Sequence, residues 1–128
     1  MYHFNVKRHD SFQNVIAEVT EALKTEGFGV LTEIDVQATL KKKLGVERKP
    51  YMILGACNPQ LAHRALEIDQ NIGLLLPCNV VVSEEDDGSV LVSFMDPLAV
   101  MGLVNAPGIE EIAQDAYNRL KRIQKQLS

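Results

Sequence analysis

The stretch YMILGACNP, residues 51–59, decides the fold that we predict. Its first seven residues are apolar on both alternating faces, as in a strand that lies inside a sheet. Asn58 and Pro59 then combine an N-cap residue type with a proline at the first helical position, which is a strong signal for a helix start. The stretch therefore predicts a central strand that passes directly into the helix PQLAHRALE.

Two further strands follow this helix in the sequence. The segments CNVVVSE and SVLVSFMD carry strand-type residues and are joined by the acidic turn EDDG, which predicts a β-hairpin. Residues 97–107 are ambiguous in pattern. The chain then closes with a helix, because an apolar stripe recurs at helical spacing from Ile109 to Ile123.

Upstream of the central strand, the pattern predicts two more strand–helix units. YHFNVK alternates apolar and polar residues as a strand does, and the helix behind it ends at Gly27. The segment FGVLTEI predicts a strand whose Phe28, Val30 and Ile34 face the core, and the short helix VQATLKKKL follows it.

The predicted order of elements is β-α-β-α-β-α-β-β-α, which is typical of an α+β fold in two layers. We expect a mostly antiparallel sheet of about five strands with helices mainly on one face. The chain has 128 residues, the length of one domain, and no linker composition divides it. Residues 1–128 are therefore predicted to form a single domain.

Composition narrows the possible function classes. The net charge is −4, whereas proteins that bind nucleic acids usually carry a basic face, so no nucleic-acid partner is expected. The longest apolar run, IGLLLPCNVVV, is much shorter than the about 20 residues of a membrane span, so no membrane partner is expected either. The N-terminal MYHFNVKRHD lacks the apolar region of a secretory signal, which predicts a cytoplasmic protein.

Strand alternation also predicts an apolar patch on the side of the sheet that the helices do not cover. The apolar members of that side are Leu31, Val81, Leu91 and Met95. A contiguous apolar patch often marks an association surface, and two-fold symmetry is the commonest arrangement of subunits. We therefore expect a homodimer through this sheet face. The alternative is that residues 97–107 fold over the patch.

The two cysteines are the candidates for chemistry. Cys57 lies just before the capped helix start, a location that lowers a thiol pKa, so it is the candidate catalytic residue of a thiol-dependent redox protein or enzyme, alone or together with Cys78. Cys78 has the core-facing position of its strand, where cysteine behaves as a small hydrophobic residue. No Cys-x-x-Cys motif is present. Enzymatic activity and two inert buried thiols both stay open at this point.

A metal-binding protein is a weaker alternative. Its ligands would be Cys57, Cys78 and His63, but the spacing of the cysteines does not match the close pairs of zinc sites. On its helix, His63 points away from the apolar stripe. The sequence also carries no dinucleotide fingerprint, since GFGVLTE lacks the third glycine and precedes a strand. We therefore expect no metal and no cofactor.

Three segments carry a resemblance to a known family: EGFGVLTEIDVQATLKKKLG, YMILGACNPQLAHRAL and IGLLLPCNVVV with the acidic hairpin behind it. Together they resemble the family known as domain of unknown function 302, and the match extends over nearly the whole chain. The resemblance implies a small α+β domain, often occurring alone in bacteria and archaea and dimeric, without an established activity. It also directs attention to Asn58, Pro59, Pro77 and Cys78.

The sequence as a whole predicts a non-catalytic, homodimeric domain that binds a small ligand or a protein partner. The candidate pocket lies where the turn after the central strand meets the start of the next strand. Its predicted ligand-binding residues are Cys57, Asn58, Pro59, Pro77 and Cys78. The identity of the ligand is not predicted.

Overall fold

The computed structural model describes residues 1–128. Five strands and five α-helices form a sheet layer and a helix layer, so the predicted two-layer α+β fold is confirmed. In chain order the elements are β1 (His3–Arg8), α1 (Phe12–Thr25), β2 (Gly29–Asp35), α2 (Val36–Leu44), β3 (Tyr51–Cys57), α3 (Pro59–Ile68), a 3₁₀ helix (Gln70–Leu75), β4 (Cys78–Glu84), β5 (Val90–Met95), α4 (Pro97–Met101) and α5 (Ile109–Leu127).

All neighbouring strands of the sheet run antiparallel, in the order β1-β5-β4-β3-β2. Strand β3, the YMILGAC segment, lies inside the sheet between β4 and β2, as its apolar sequence predicts. Its Leu54 pairs with Val80 of β4, which pairs in turn with Phe94 of β5, and all three side chains are fully buried. This row marks the centre of the sheet face that meets the helices.

Two clusters of apolar side chains hold the layers together. The larger one lies between the sheet and helices α1 and α5, and its fully buried members include Val15, Val19, Leu23, Leu54, Val80, Val82, Val92, Phe94 and Ile123. The smaller one joins α3, the 3₁₀ helix, α4 and α5 through Leu61, Ala65, Ile72, Met101, Ile109 and Ile112. Full burial of one Val, Leu, Ile or Phe side chain contributes about 1.5–3 kcal/mol, so these clusters are the main source of stability.

Strand β2 departs from strict alternation. Phe28 is buried and Val30 packs against the core as predicted, but Ile34 is 48% exposed, so its predicted core position is wrong. The reason is a β-bulge between Val30 and Thr32. The extra residue, Leu31, moves every later side chain of the strand to the opposite face, and Leu31 itself is 68% exposed.

Helices α1, α3, α4 and α5 lie on one side of the sheet, and we call the other side the open face. The strand register places on it His3, Asn5, Lys7, Thr32, Ile34, Tyr51, Ile53, Gly55, Asn79, Val81, Ser83, Leu91, Ser93 and Met95. Residues 97–107 do not fold over the open face, because α4 packs on α5 and Met101 is buried in the helix layer. That alternative for the apolar patch is therefore excluded.

Two side chains cover the open face at one end, where Gly55 lies. This glycine is buried although it has no side chain. A Cβ atom added to it would lie 2.9 Å from Cγ of Pro77 and would overlap with Oγ1 of Thr32. Pro77 and Thr32 therefore cover the backbone of β3 at this point, and only glycine leaves them the room to do so.

We expect the substitution Gly55→Ala to destabilise the fold by about 1–3 kcal/mol, because the added methyl group overpacks a site that Pro77 already fills. Gly29→Ala on the adjacent strand is the matched control, since a methyl group added there would meet no atom of a packed neighbour within 4 Å. That control should change the free energy of unfolding by less than about 0.5 kcal/mol. Urea denaturation measures both variants, and equal losses would contradict this packing.

Candidate functional site

Asn58 lies at the junction of β3 and α3, and it is buried although it is polar. Its Oδ1 accepts a hydrogen bond from the backbone N–H of Leu61 at 3.2 Å, so Asn58 is the N-cap of α3, as predicted. Its Nδ2 donates to the backbone carbonyl of Glu26 at 3.3 Å. Because Glu26 ends α1, one amide side chain joins the start of α3 to the end of α1.

The chain leaves α1 through a Schellman motif. The N–H of Phe28 bonds to the carbonyl of Leu23 at 3.0 Å, and the N–H of Gly27 bonds to the carbonyl of Lys24 at 3.1 Å. Gly27 has a φ of +81°, in the left-handed region that favours glycine. A Cβ atom added there would also lie 3.0 Å from Nδ2 of Asn58. The turn after α1 and the cap of α3 are therefore packed directly against each other.

Two arginines of α5 complete this junction. Arg119 donates through Nη1 to the same Glu26 carbonyl at 2.9 Å and through Nε to Asp115 at 2.7 Å. Arg122 makes two parallel hydrogen bonds, of 2.7 and 3.0 Å, to the carboxylate of Glu26. The hydrogen bonds from Arg122 lower the pKa of Glu26, and the same bonds raise the pKa of Arg122. The Glu26 side chain is only 15% exposed.

We call Glu26, Gly27, Asn58, Arg119 and Arg122 the junction cluster. It connects α1, α3 and α5, which meet the sheet at different places. Its amide, guanidinium and carboxylate groups bond mainly to one another and to backbone carbonyls. This arrangement is typical of a structural cluster, because a catalytic group needs an unsatisfied atom that faces a substrate.

A small cavity of about 40 Å³ lies beside Asn58, between the sheet and the helix layer. Besides Asn58, its lining consists of Cys57, Cys78, Phe28, Ala56, Leu61, Ala62, Ala65, Leu76, Pro97, Met101, Ile112, Ala113 and Ala116. Three of the five predicted ligand-binding residues thus meet here. Pro59 is instead the first residue of α3, and Pro77 covers Gly55. Small-molecule pockets usually measure about 300–1,000 Å³, so ligand binding in this cavity stays a prediction.

The two thiols are both unactivated. Burial, with a smaller contribution from the neighbouring Cys57, raises the pKa of the Cys78 thiol to about 11. Burial also raises the pKa of Cys57. This direction is opposite to the one expected from the helix start, because loss of solvent disfavours the charged thiolate. The core-facing position predicted for Cys78 is confirmed by its burial.

The third predicted metal ligand, His63, lies on the surface of α3. Its side chain is 75% exposed, and its Nε2 lies 3.8 Å from a carboxylate oxygen of Glu67 on the same helix. No group of three or more His, Cys, Asp or Glu side chains is arranged to hold a metal ion. His63 is thus not brought together with Cys57 and Cys78.

No helix of the chain has both the length and the apolar character of a membrane span.

A second cavity, of about 380 Å³, lies on the open face, and the sequence does not predict it as a site. Its lining residues are Tyr2, His3, Tyr51, Asn79, Val81, Ser83, Ser93, Phe94 and Met95. The alternation of β4 and β5 is the sequence feature that could have indicated this site, because it places Asn79, Ser83 and Ser93 among apolar residues of the same face. A lining without Asp, Glu, Lys or Arg differs from an ordinary solvated surface, which carries charged side chains.

Comparisons with known proteins agree with this fold. Residues 3–127 match the family model described as "Domain of unknown function DUF302". The chain is similar to an uncharacterized conserved DUF302 protein from Bacillus stearothermophilus, whose crystal structure is known. The two are 35% identical, with a TM-score of 0.91, over 100% of this chain and 99% of that one. No curated protein matches the chain.

The contact between Gly27 and Asn58 predicts a coupled effect on stability. Gly27→Ala should destabilise the fold more than Gly45→Ala, because both glycines have a positive φ but only Gly27 has Asn58 beside it. A non-glycine residue in this region costs about 1–2 kcal/mol by itself. In an Asn58→Ala background, the cost of Gly27→Ala should fall to that of Gly45→Ala. Thermal or urea unfolding of Gly27→Ala, Gly45→Ala, Asn58→Ala and the double variant Gly27→Ala/Asn58→Ala measures these costs. Strictly additive losses of stability in the double variant would refute the contact.

The Glu26–Arg122 pair predicts a pH dependence. The pKa of Glu26 is lowered in the folded state, so its stabilising contribution is complete above the ordinary carboxyl range and is lost as pH falls through the lowered value. Glu26→Gln should therefore reduce stability at pH 7, and its difference from wild type should shrink in acid. Glu21→Gln is the control, since Glu21 pairs only with Lys24 on the surface of its own helix. A pH-independent difference between wild type and Glu26→Gln would contradict this assignment.

Proposed function

We propose that this chain, which belongs to the DUF302 family, is a non-catalytic binding protein that works as a homodimer. The two protomers associate through the open face and the neighbouring helix α2. The observation that carries this proposal is that α2, although it has an apolar side, buries none of its residues within the chain. A second copy of the chain would supply the missing partner.

Helix α2 is too short to be stable alone. It has nine residues, and isolated helices of fewer than about 12–15 residues are marginal in water. Asp35 caps its start and Gly45 ends it, so its boundaries are well defined. Its apolar Val36, Leu40 and Leu44 are half-buried or exposed. Packing against another surface is what usually stabilises such a helix.

The adjacent open face continues this apolar surface. Ile34 of the open face and Leu31 in the bulge of β2 are exposed, and Val81, Leu91 and Met95 of β4 and β5 are only half-buried. Two sheets that pack face to face bury such residues in a layer about 10 Å thick. The proposed interface therefore extends from α2 across the open face.

Charge also favours a second copy as the occupant. The chain carries a basic stretch on α2, Lys41, Lys42 and Lys43, and an acidic hairpin tip, residues 84–87. Lys49, in the loop that follows α2, lies 3.2 Å from Asp86 of the hairpin tip. A surface that carries both signs can complement itself across a two-fold axis, since each basic region then meets an acidic one of the other protomer.

The thiol-dependent alternative receives less support. Both thiol pKa values are raised, whereas a nucleophilic cysteine needs a lowered pKa or an adjacent base. His63, the only histidine on α3, pairs with Glu67 on the surface. The cysteines are both free, which suits the cytoplasmic location that we propose.

Light scattering coupled to size-exclusion chromatography tests the dimer. We expect the wild-type chain to have twice the protomer mass of 14.2 kDa and Leu31→Glu to shift the population to monomers. Leu74→Glu is the matched control, because Leu74 is 86% exposed on the 3₁₀ helix of the helix layer and should leave the dimer intact. A wild-type monomer at high concentration, or an equal effect of both substitutions, would refute the proposed interface.

A further inference from the structure

We propose that the cavity on the open face binds an uncharged nucleobase or nucleoside. This inference rests on the proposed function, since the second protomer would roof the cavity, and it deepens that function by naming a ligand class. It starts from the cavity lined by Tyr2, His3, Tyr51, Asn79, Val81, Ser83, Ser93, Phe94 and Met95. Its volume of about 380 Å³ lies within the usual range of small-molecule pockets.

The cavity lies on a part of the sheet where apolar and polar side chains stand beside each other. The strand register sets Val81 beside Ser93 at its centre, with Tyr51 beside Ser83 on one side and His3 beside Met95 on the other. A sheet surface that offers both apolar contact and hydrogen-bonding groups suits a planar ring with polar edges. The same pattern would suit a long aliphatic chain poorly, because the chain would leave the polar groups without partners.

Four of the polar side chains that line this cavity are free to bond a ligand. The side chains of Tyr51, Asn79, Ser83 and Ser93 make no hydrogen bond within the chain, whereas His3 is hydrogen-bonded through Nδ1 to Oδ1 of Asn5 at 2.8 Å. Such free groups become costly when a second sheet covers them, since buried polar groups need partners. A ligand that offers both donors and acceptors would satisfy them.

The lining also restricts the charge of the ligand. It contains no Asp, Glu, Lys or Arg. Nearby cations are already engaged, because Lys7 lies 3.5 Å from Asp87 and the Arg48 guanidinium lies 4.7 Å from the centre of the Tyr51 ring. A phosphate group would therefore enter the cavity without a counter-charge, so an uncharged base or nucleoside fits better than a nucleotide.

The kinds of side chain point to a heterocyclic base. An amide side chain such as that of Asn79 can pair with a donor–acceptor edge of a base in a bidentate manner. Tyrosine rings such as those of Tyr2 and Tyr51 are common stacking partners of bases. The Arg48 guanidinium over the Tyr51 ring would hold that ring in position.

Isothermal titration of the full chain with adenosine, uridine and glucose tests the proposal. We expect a nucleoside to bind saturably and glucose not to bind. Asn79→Ala should weaken nucleoside binding about tenfold, as expected for loss of a buried hydrogen-bonding group. Asn71→Ala is the matched control, because Asn71 is exposed on the 3₁₀ helix and its side chain bonds to nothing. That variant should bind like wild type.

Light scattering on the same samples separates this inference from the proposed function. Leu31→Glu leaves every lining residue intact, so its monomers should bind the nucleoside more weakly than the wild-type dimer. A wild-type dimer that binds neither nucleoside, or that binds glucose instead, overturns the ligand assignment and leaves the dimer standing. Equal binding by wild type and Asn79→Ala also overturns it. A monomeric wild type that binds adenosine overturns the dimer and its role as a roof, but supports the assigned ligand class.

Discussion

The hydrogen bonds of the Asn58 amide are the constraint on which the arrangement of the helices depends. One oxygen caps α3, and one nitrogen holds the last carbonyl of α1, residues that lie far apart along the chain. The same carbonyl accepts a bond from Arg119 of α5. Three helices are therefore fixed to one another at a single buried point, which also determines where β3 turns away from the sheet.

The sequence predicts the two helix ends of this arrangement but not the contact between them. Asn58 and Pro59 predict a helix start, and Gly27 predicts a helix end, because capping depends on residues only a few positions apart. The contact between those two ends depends on the fold. In the same way, the bulge at Leu31 leaves no mark in the alternation of β2, and the position of Ile34 is mispredicted for that reason. Burial of Cys57 likewise reverses the pKa direction that its helix start suggests.

The residues that carry the family resemblance have architectural roles in this structure. Gly27 and Phe28 form the turn after α1, Asn58 joins two helices, and Pro77 covers Gly55. The ligand site that we propose uses other residues, which lie on the open face. The sequence alone does not show that the polar side chains of β4 and β5 share a cavity with Tyr51 and His3, because this depends on how the strands pair.

The bulge in β2 has a consequence for how chains can meet. β2 is an edge strand, and an edge with free backbone groups can add strands from other molecules without limit, which leads to aggregation. The bulge interrupts the regular ladder at Leu31, and Glu33 and Asp35 add negative charge to the same strand. Both features hinder the addition of strands from other molecules to this edge. The proposed contact through the flat side of the sheet would close after two copies, whereas Leu31, the extra residue of the bulge, discourages endless assembly along the edge.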